Sequence, residues 1–279
     1  MSKYTNSVVV IAGGASGIGE HIARQLVGIA KAIIIIDRDE AKAKALLLSL
    51  AQDTVSFLHV DAGNEVEMRD AVQHIIGRHG SLDVFINLAG SFMAGEMRDT
   101  PLTNWRFIYE ENMAPILTAT EVVYAHMRQQ GHGVIANTAS AAGLFPVPAM
   151  QLYGSTKSAI VSLTLGLRME AKDFNIDVSV ICPTIIDTPL YDRATYNRVN
   201  KQRALKLLRD DTSIQQPSKA AARIIKGIAK NQPVIHTAFS TMIGWTIFKI
   251  SPRFYELSAR RVLKRYRSSL RVKEGSRIS

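Results

Sequence analysis

Two residues of the stretch QLYGSTKSAI, at positions 151–160, have side chains suited to proton transfer: Tyr153 and Lys157. If this stretch is helical, both side chains leave the same face, one turn apart. A phenol can protonate a substrate oxygen, and a neighbouring ammonium favours the phenolate that remains. The same pair is also an ordinary feature of exposed helices, worth a few tenths of a kcal/mol. The rest of the sequence has to show whether this pair is an acid–base site or part of a solvated helix face.

A glycine-rich segment near the start of the chain, VVVIAGGASGIGEHIA, has the pattern of a phosphate-binding turn. Gly13, Gly17 and Gly19 lie between a β-branched run and a helical pattern. Glycine is needed where a turn requires positive φ and where the backbone approaches a phosphate closely. The helix that begins near Ser16 and Ile18 offers free N–H groups and its positive dipole end. A purely structural turn is the alternative, but the position inside a βαβ unit favours dinucleotide binding.

Asp37 ends the next β-branched run and follows Gly19 at nearly the expected spacing. Dinucleotide-binding folds place an acid for the adenosine ribose hydroxyls about 20 residues after the glycines. The alternative role is a helix N-cap, which we assign instead to Asp39. An acid at this place repels a 2′-phosphate by about 1–4 kcal/mol at a separation of ~4 Å, so NAD(H) is favoured. The adjacent Arg38 could partly offset that repulsion, which leaves NADP(H) open.

Short apolar runs alternate with longer helical patterns along the chain. Strands are predicted at 7–13, 32–37, 54–61, 83–90, 133–140, 176–183 and 233–236. Helices are predicted at 17–30, 39–51, 64–79, 103–130 and 151–174. The strand runs are continuously apolar, which is typical of strands covered on both faces. The alternation predicts an α/β fold, a doubly wound parallel sheet of about seven strands with helices on both faces.

The bulk composition is that of a globular protein: 279 residues, 47% hydrophobic and 21% charged. The single cysteine, Cys182, excludes an internal disulfide and a multi-cysteine metal site, and its apolar neighbours predict a buried structural thiol. We predict no bound metal. The residues before the first strand leave no room for a signal peptide, and the longest apolar run, 238–248, is too short to span a bilayer. We therefore expect a cytoplasmic protein.

The net charge of +10 is concentrated at the C-terminal end, and residues 1–248 are nearly neutral. A nucleic-acid partner is therefore not expected. We predict one domain, 1–237, followed by a basic C-terminal extension, 238–279. From residue 249 onwards the acids are Glu256 and Glu274, and the basic residues are Lys249, Arg253, Arg260, Arg261, Lys264, Arg265, Arg267, Arg271, Lys273 and Arg277.

The extension also has an apolar stripe at helical spacing: Tyr255, Ala259, Val262, Tyr266 and Leu270. A basic amphipathic helix can lie on an anionic membrane, so peripheral membrane contact is one expectation. The alternatives are a helix packed on the body or on another subunit, and a disordered solvated tail.

Six motifs, in order, resemble the short-chain dehydrogenase/reductase family over residues 5–237. They are GGASGIG (13–19), NLAG (87–90), Asn112 in ENM, Ser140 in NTAS, YGSTK (153–157) and PTIIDT (183–188). The resemblance implies a Rossmann-type fold that binds a nicotinamide dinucleotide. It also implies a catalytic tetrad of Asn112, Ser140, Tyr153 and Lys157.

The roles of the tetrad follow from the resemblance. Tyr153 would be the general acid or base, with its pKa lowered by Lys157 and by the nicotinamide. Lys157 would also hold the nicotinamide ribose, and Ser140 would hold the substrate oxygen near the phenol. Asn112 would bend its helix and hold a water of the proton relay.

The resemblance further implies cofactor contacts at the ends of the strands. The residues are Gly13, Ser16, Gly17, Ile18, Gly19, Asp37, Arg38, Asp61, Ala62, Asn87, Ala89, Gly90, Tyr153, Lys157, Pro183, Ile186 and Thr188. Ala12, Leu88 and Thr184 depart from the family pattern. None of the three replaces a reacting group, so they bear only on the geometry of the cofactor site.

The residues expected around the substrate are mostly apolar: Phe92, Met93, Leu144, Phe145, Met150, Leu152, Leu190 and Tyr191. Each of them could equally be a core residue. No Arg or Lys is placed for a carboxylate or phosphate, so we expect a lipophilic secondary alcohol and its ketone or aldehyde. We also expect a homodimer or homotetramer. The alternatives are a non-catalytic dinucleotide-sensing or scaffold protein of the same fold, and an epimerase or dehydratase.

Overall fold

The structure is a computed structural model that describes residues 3–210 and 214–272. Lys273, Glu274 and Arg277 of the basic extension lie outside the described residues. The strands are β1 (Val8–Ala12), β2 (Ala32–Asp37), β3 (Val55–His59), β4 (Val84–Asn87), β5 (Met93–Ala94), β6 (Gly133–Thr138), β7 (Ile176–Cys182), β8 (Thr195–Tyr196) and β9 (Val234–His236).

The helices are α1 (Gly17–Leu26), α2 (Glu40–Leu50), α3 (Glu65–His79), α4 (Leu102–Gln130), α5 (Gln151–Ala171), α6 (Leu190–Arg193), α7 (Lys201–Asp210), α8 (Pro217–Ala229), α9 (Phe239–Ile250) and α10 (Pro252–Ser269). Strands and α-helices alternate up to β9 except that β5 directly follows β4 and α8 directly follows α7, and two more helices come after β9. Short 3₁₀ turns lie at Met97–Asp99, Ala141–Gly143 and Lys172–Phe174.

A seven-stranded parallel sheet in the order β3-β2-β1-β4-β6-β7-β9 forms the centre of the protein. The order reverses between β1 and β4, and this opens a crevice at the carboxyl ends of those two strands. The short strands β5 and β8 pair separately. The predicted α/β, doubly wound sheet is confirmed.

Alternate side chains of β1 enter two different cores. Val9 and Ile11 pack in a core that includes residues of α1, α2 and α8. Val8 and Val10 pack in a second core, on the opposite face, that includes residues of α3, α4 and α5. All five residues of β1 are buried. Burial on both faces explains why the strands read as continuous apolar runs.

Helix α8 was not predicted from the sequence, although its signals are present. Pro217 occupies the first turn, and Ala221, Ile224 and Ile228 are buried at helical spacing. The parallel pairing of β7 with β9 requires a crossover connection, and α8 supplies it. A predicted parallel strand at 233–236 should therefore have implied a helix before it.

The C-terminal extension packs against the body through Tyr255, Tyr266 and Leu270 of the predicted stripe, whereas Val262 of that stripe is 58% exposed. The ring of Tyr255 lies 5.5 Å from that of Phe145, and its hydroxyl donates to the Pro146 carbonyl at 2.6 Å. Tyr266 and Leu270 pack on a buried cluster that contains Phe92. Among the described residues, no helix is long and apolar enough to cross a membrane.

Two buried carboxylates hold the last turn of α10 and the residues just after it. Arg267 donates to both oxygens of Glu96, at 2.9 and 2.7 Å, and Arg271 donates to both oxygens of Asp99, at 2.7 and 2.9 Å. The bidentate hydrogen bonds lower the pKa of both carboxyl groups, so these pairs persist at neutral pH.

Candidate active site

A cavity of about 1220 Å³ lies at the carboxyl ends of the central strands. Its walls include the glycine turn after β1, the loop after β4, and the side chains of Ser140, Tyr153 and Lys157. Residues of α9 and α10 complete it. Doubly wound sheets bind ligands at this edge.

The glycine turn fits a dinucleotide phosphate for two reasons. Gly13 has a φ of +71°, and a Cβ on Gly19 would lie 2.6 Å from the Gly13 carbonyl oxygen, so both positions require glycine. Ser16, at the N-cap of α1, makes no side-chain capping hydrogen bond. The first-turn N–H groups of α1 therefore have no side-chain acceptor at the cavity wall, which suits a pyrophosphate.

The carboxylate of Asp37 lines the cavity and is held by two backbone groups. It accepts hydrogen bonds from the N–H of Ala15 and of Asp39, each at 3.0 Å. Asp39 caps α2, as predicted, by accepting from the N–H of Lys42 at 3.1 Å. The two backbone hydrogen bonds therefore fix the orientation of the Asp37 carboxylate at the cavity wall.

Arg38 is already engaged by two carboxylates. Its guanidinium lies 3.0 Å from Glu111 of α4 and 3.5 Å from Asp61. The hydrogen bond to Glu111 is the main cause that raises the pKa of Arg38. These partners compete with any phosphate for the guanidinium.

Ser140, Tyr153 and Lys157 come together at the cavity wall. Tyr153 is 8% exposed and Lys157 4% exposed. The Lys157 ammonium lies 5.7 Å from the centre of the Tyr153 ring and donates to the Thr138 carbonyl at 3.2 Å. The Ser140 hydroxyl lies near the phenol, whose pKa it lowers, and accepts from the N–H of Ala142 at 3.2 Å. A phenol, a hydroxyl and an ammonium therefore line the same cavity.

Asn112 is fully buried behind that wall and does not line the cavity. Its side-chain oxygen accepts from the N–H of Ser91 at 2.8 Å, and its amide donates to the Thr156 hydroxyl at 3.0 Å. A Cβ on Gly90 would lie 2.8 Å from the Asn112 oxygen and 3.2 Å from the Lys157 nitrogen. In the protein alone, Asn112 therefore connects the loop after β4 to helix α5.

Three residues predicted to contact the cofactor do not line the cavity in the protein alone: Asp61, Ala62 and Asn87. Asp61 accepts from the N–H of Gly63 at 2.8 Å, and Ala62 is a core residue. The amide of Asn87 donates to the Pro115 carbonyl at 3.0 Å. The other predicted cofactor residues all line the cavity.

Of the predicted substrate residues, Phe92, Phe145, Met150, Leu190 and Tyr191 line the cavity. The expectation for Leu144 is corrected, because its side chain is buried in a core cluster that contains residues of α5 and β7. Met93 and Leu152 are also core residues. The wall includes several residues that no motif marked: Val147, Tyr196, Val199, Ala204, Tyr266 and Leu270. For the last two, the apolar stripe of the extension was the available signal.

Burial dominates the acid–base behaviour of the pair in the protein alone. It raises the pKa of Tyr153 to about 12, and the nearby Ser140 hydroxyl opposes that rise. Burial also lowers the pKa of Lys157 to about 8. In the protein alone the pKa of the phenol is therefore raised, opposite in direction to the lowering that the sequence led us to expect.

Lys157→Met is expected to raise the free energy of unfolding at pH 7 by about 1–3 kcal/mol. The pKa of Lys157 is lowered from 10.5 to about 8 on folding, so the buried ammonium opposes folding below pH 8. Between pH 8 and pH 10.5 the unfolded chain binds more protons than the folded one. The free energy of unfolding of the wild type therefore rises with pH in this range, and its difference from the variant becomes smaller. Urea unfolding at pH 7 and at pH 9.5 measures the difference.

The matched control for this prediction is Lys219→Met, since Lys219 is an exposed lysine of α8. We expect it to change stability at neither pH. A loss of stability in Lys157→Met at pH 7 would mean that the hydrogen bond to Thr138 outweighs the cost of burial.

Comparisons with known proteins agree with this geometry. The family model described as short chain dehydrogenase matches residues 7–198. A Staphylococcus aureus (strain USA300) protein described as an uncharacterized oxidoreductase is 28% identical over 203 residues, 73% of this chain and 87% of its own.

Two solved structures share the fold. A short-chain dehydrogenase/reductase from Burkholderia phymatum in complex with NAD has a TM-score of 0.82 and 21% identity, covering 91% of this chain and 96% of its own. The protein ElxO with NADP bound has a TM-score of 0.72 and 23% identity, covering 84% of this chain and 97% of its own. Among these structures, both nicotinamide dinucleotides occur.

Proposed function

The chain belongs to the short-chain dehydrogenase family of NAD(P)-binding oxidoreductases, and from that premise we propose that it interconverts a lipophilic secondary alcohol and its ketone or aldehyde with NAD(H). The observation that carries the proposal is the meeting of Ser140, Tyr153 and Lys157 on a cavity that also contains the glycine turn. A sensor or scaffold has no use for a buried phenol and ammonium held in this way, so the catalytic interpretation is favoured over the non-catalytic one.

The chain's own residues account for the proton chemistry. Tyr153 protonates the carbonyl oxygen of the substrate, or accepts the alcohol proton in the reverse direction. Ser140 orients that oxygen toward the phenol, because its hydroxyl lies near Tyr153 on the wall of the same cavity. Protonated Lys157 favours the phenolate left behind. When bound, the nicotinamide exchanges a hydride with the substrate carbon.

The preference for NAD(H) rests on Asp37 and Arg38. Asp37 is oriented by two backbone N–H groups and lines the cavity. Arg38 is paired with Glu111 and Asp61, which reduces its ability to compensate a 2′-phosphate. Net repulsion between Asp37 and that phosphate supports NAD(H).

The lipophilic substrate is supported by the walls near Tyr153. The Phe92 ring lies 5.0 Å from the Tyr153 ring and 5.1 Å from the Tyr191 ring, in edge-to-face contacts. The remaining wall on this side is mainly aliphatic, and it includes Val147, Met150 and Leu270. Apolar substrates gain most from burial against such a surface.

The proposal is tested by following NADH fluorescence with steroid, long-chain and aromatic ketones, alongside small polar carbonyl compounds. We expect turnover with at least one lipophilic class and a kcat/KM at least about tenfold above that for free sugars. Turnover confined to small polar compounds would contradict the substrate class. NADH binding without any turnover would favour the sensor or scaffold alternative. Isomerisation or water loss without net oxidation would favour the epimerase or dehydratase.

We further propose a cytoplasmic homodimer or homotetramer. Family membership supports the assembly, and the need for a nicotinamide dinucleotide supports the compartment. Light scattering should give a mass of two or four chains of 30.7 kDa. A monomer at working concentration would contradict the assembly.

A further inference from the structure

Helices α9 and α10 both expose large apolar side chains in the described chain. On α9 the exposed apolar residues repeat at the spacing of a single helix face, and the first turns of α10 expose two more. Ile250, which joins the two helices, is 79% exposed. The surface, here called the extension face, consists of Phe239, Met242, Ile243, Ile250, Phe254 and Leu257.

The extension face differs from the stripe that the sequence marked for membrane contact. Tyr255, Tyr266 and Leu270 of that stripe are used to pack α10 on the body. Phe254 and Leu257 point away from it and are each 61% exposed. The extension therefore has two apolar sides, and only one of them is satisfied by the fold.

Cations without a carboxylate partner lie on the same two helices as the extension face, and one of them, Lys249, also stacks on the Trp245 ring at 3.7 Å. Arg260 is paired with Glu256 at 2.8 Å, and Arg267 and Arg271 are paired with the body. In the part of the chain that the structure describes, the other exposed cations here have no carboxylate within ion-pair distance. They are Lys249, Arg253, Arg261, Lys264 and Arg265.

We propose that the extension face binds the surface of an anionic lipid bilayer. The apolar side chains enter the boundary between headgroups and acyl chains, while the flanking Lys and Arg contact lipid phosphates. A second copy of the chain is a poorer partner, because a two-fold contact would bring the unpaired cations of both copies together. No membrane-spanning segment is needed for this mode of binding.

The same two helices form part of the cavity wall. Thr241 and Gly244 of α9, Tyr266 of α10 and Leu270 just after α10 line the cavity from inside. Bilayer binding would hold this wall against the lipid phase, where a lipophilic substrate concentrates. That consequence rests on the proposed function, whereas bilayer binding itself does not.

The test is flotation of the full-length protein with vesicles of phosphatidylcholine, alone or with about 30% phosphatidylglycerol. We expect recovery with the anionic vesicles at about 0.05 M salt and release at about 0.5 M. Phe254→Glu/Leu257→Glu should lower recovery more than about tenfold, and Arg261→Glu/Arg265→Glu should do likewise. The matched control is Leu48→Glu/Val66→Glu, on the exposed apolar residues of α2 and α3, which should bind as the wild type does.

Circular dichroism and NADH binding confirm that each variant is folded, and neither depends on turnover. Equal recovery with neutral and anionic vesicles would overturn the proposal, and so would full binding by the Phe254/Leu257 variant. A fall in oligomer mass in that variant, without any vesicle binding by the wild type, would instead assign the face to a second copy. Loss of turnover with intact vesicle binding would count against the proposed reaction only.

Discussion

Tyr153→Phe is expected to lower kcat by about 10²–10⁴-fold while NADH binding changes by less than about twofold. The change removes only the hydroxyl that donates the proton. The ring stays in edge-to-face contact with Phe92, so the wall of the cavity keeps its shape. Steady-state turnover with the best ketone of the screen measures the first quantity, and NADH fluorescence titration the second.

The control for this prediction is Tyr124→Phe, on α4, where the tyrosine ring packs on Phe174 and not on the cavity. It should be fully active. Activity retained in Tyr153→Phe would show that another group supplies the proton, and the assignment of Ser140 and Lys157 around it would then have to be withdrawn. A parallel loss of NADH binding would point to a structural effect of the substitution.

Asp37→Asn is expected to shift the ratio of kcat/KM for NADPH over NADH upward by roughly 5- to 10³-fold. That range corresponds to removing a like-charge repulsion of about 1–4 kcal/mol. Asparagine keeps a side-chain oxygen that can accept one of the two backbone hydrogen bonds from Ala15 and Asp39. The local backbone should therefore survive the change.

Glu111→Gln is the companion variant, because it releases Arg38 from its nearer partner. Combined with Asp37→Asn, it should raise the ratio of kcat/KM for NADPH over NADH further, because the Arg38 guanidinium can then bind the 2′-phosphate. Kinetics with both cofactors at equal concentration series give the ratios. An unchanged ratio in both variants would place the adenosine ribose away from Asp37.

Much of the site was predictable because its signals are local. The β-branched run before Gly13 and the helical pattern after it identify a strand–turn–helix unit without any knowledge of partners. Tyr153 and Lys157 share a face because helix geometry alone places residues four apart on one side. The sequence signals of helix α8 are equally local, but the helix was not predicted. The parallel pairing of β7 and β9 requires a crossover connection, and this should have indicated it.

The amino-acid sequence by itself determined the order of the seven strands of the main sheet and of helices α1 to α5, the glycine turn, and the presence of a phenol, an ammonium and a hydroxyl for the proposed chemistry. Only the tertiary structure decided their environments. Burial raises the pKa of Tyr153, Glu111 from a distant helix occupies Arg38, and packing on Phe145 selects which side of α10 faces outward. These properties depend on contacts between groups that are far apart along the chain. The periodicity of apolar residues in a sequence indicates only which side chains share a face of the same helix or strand.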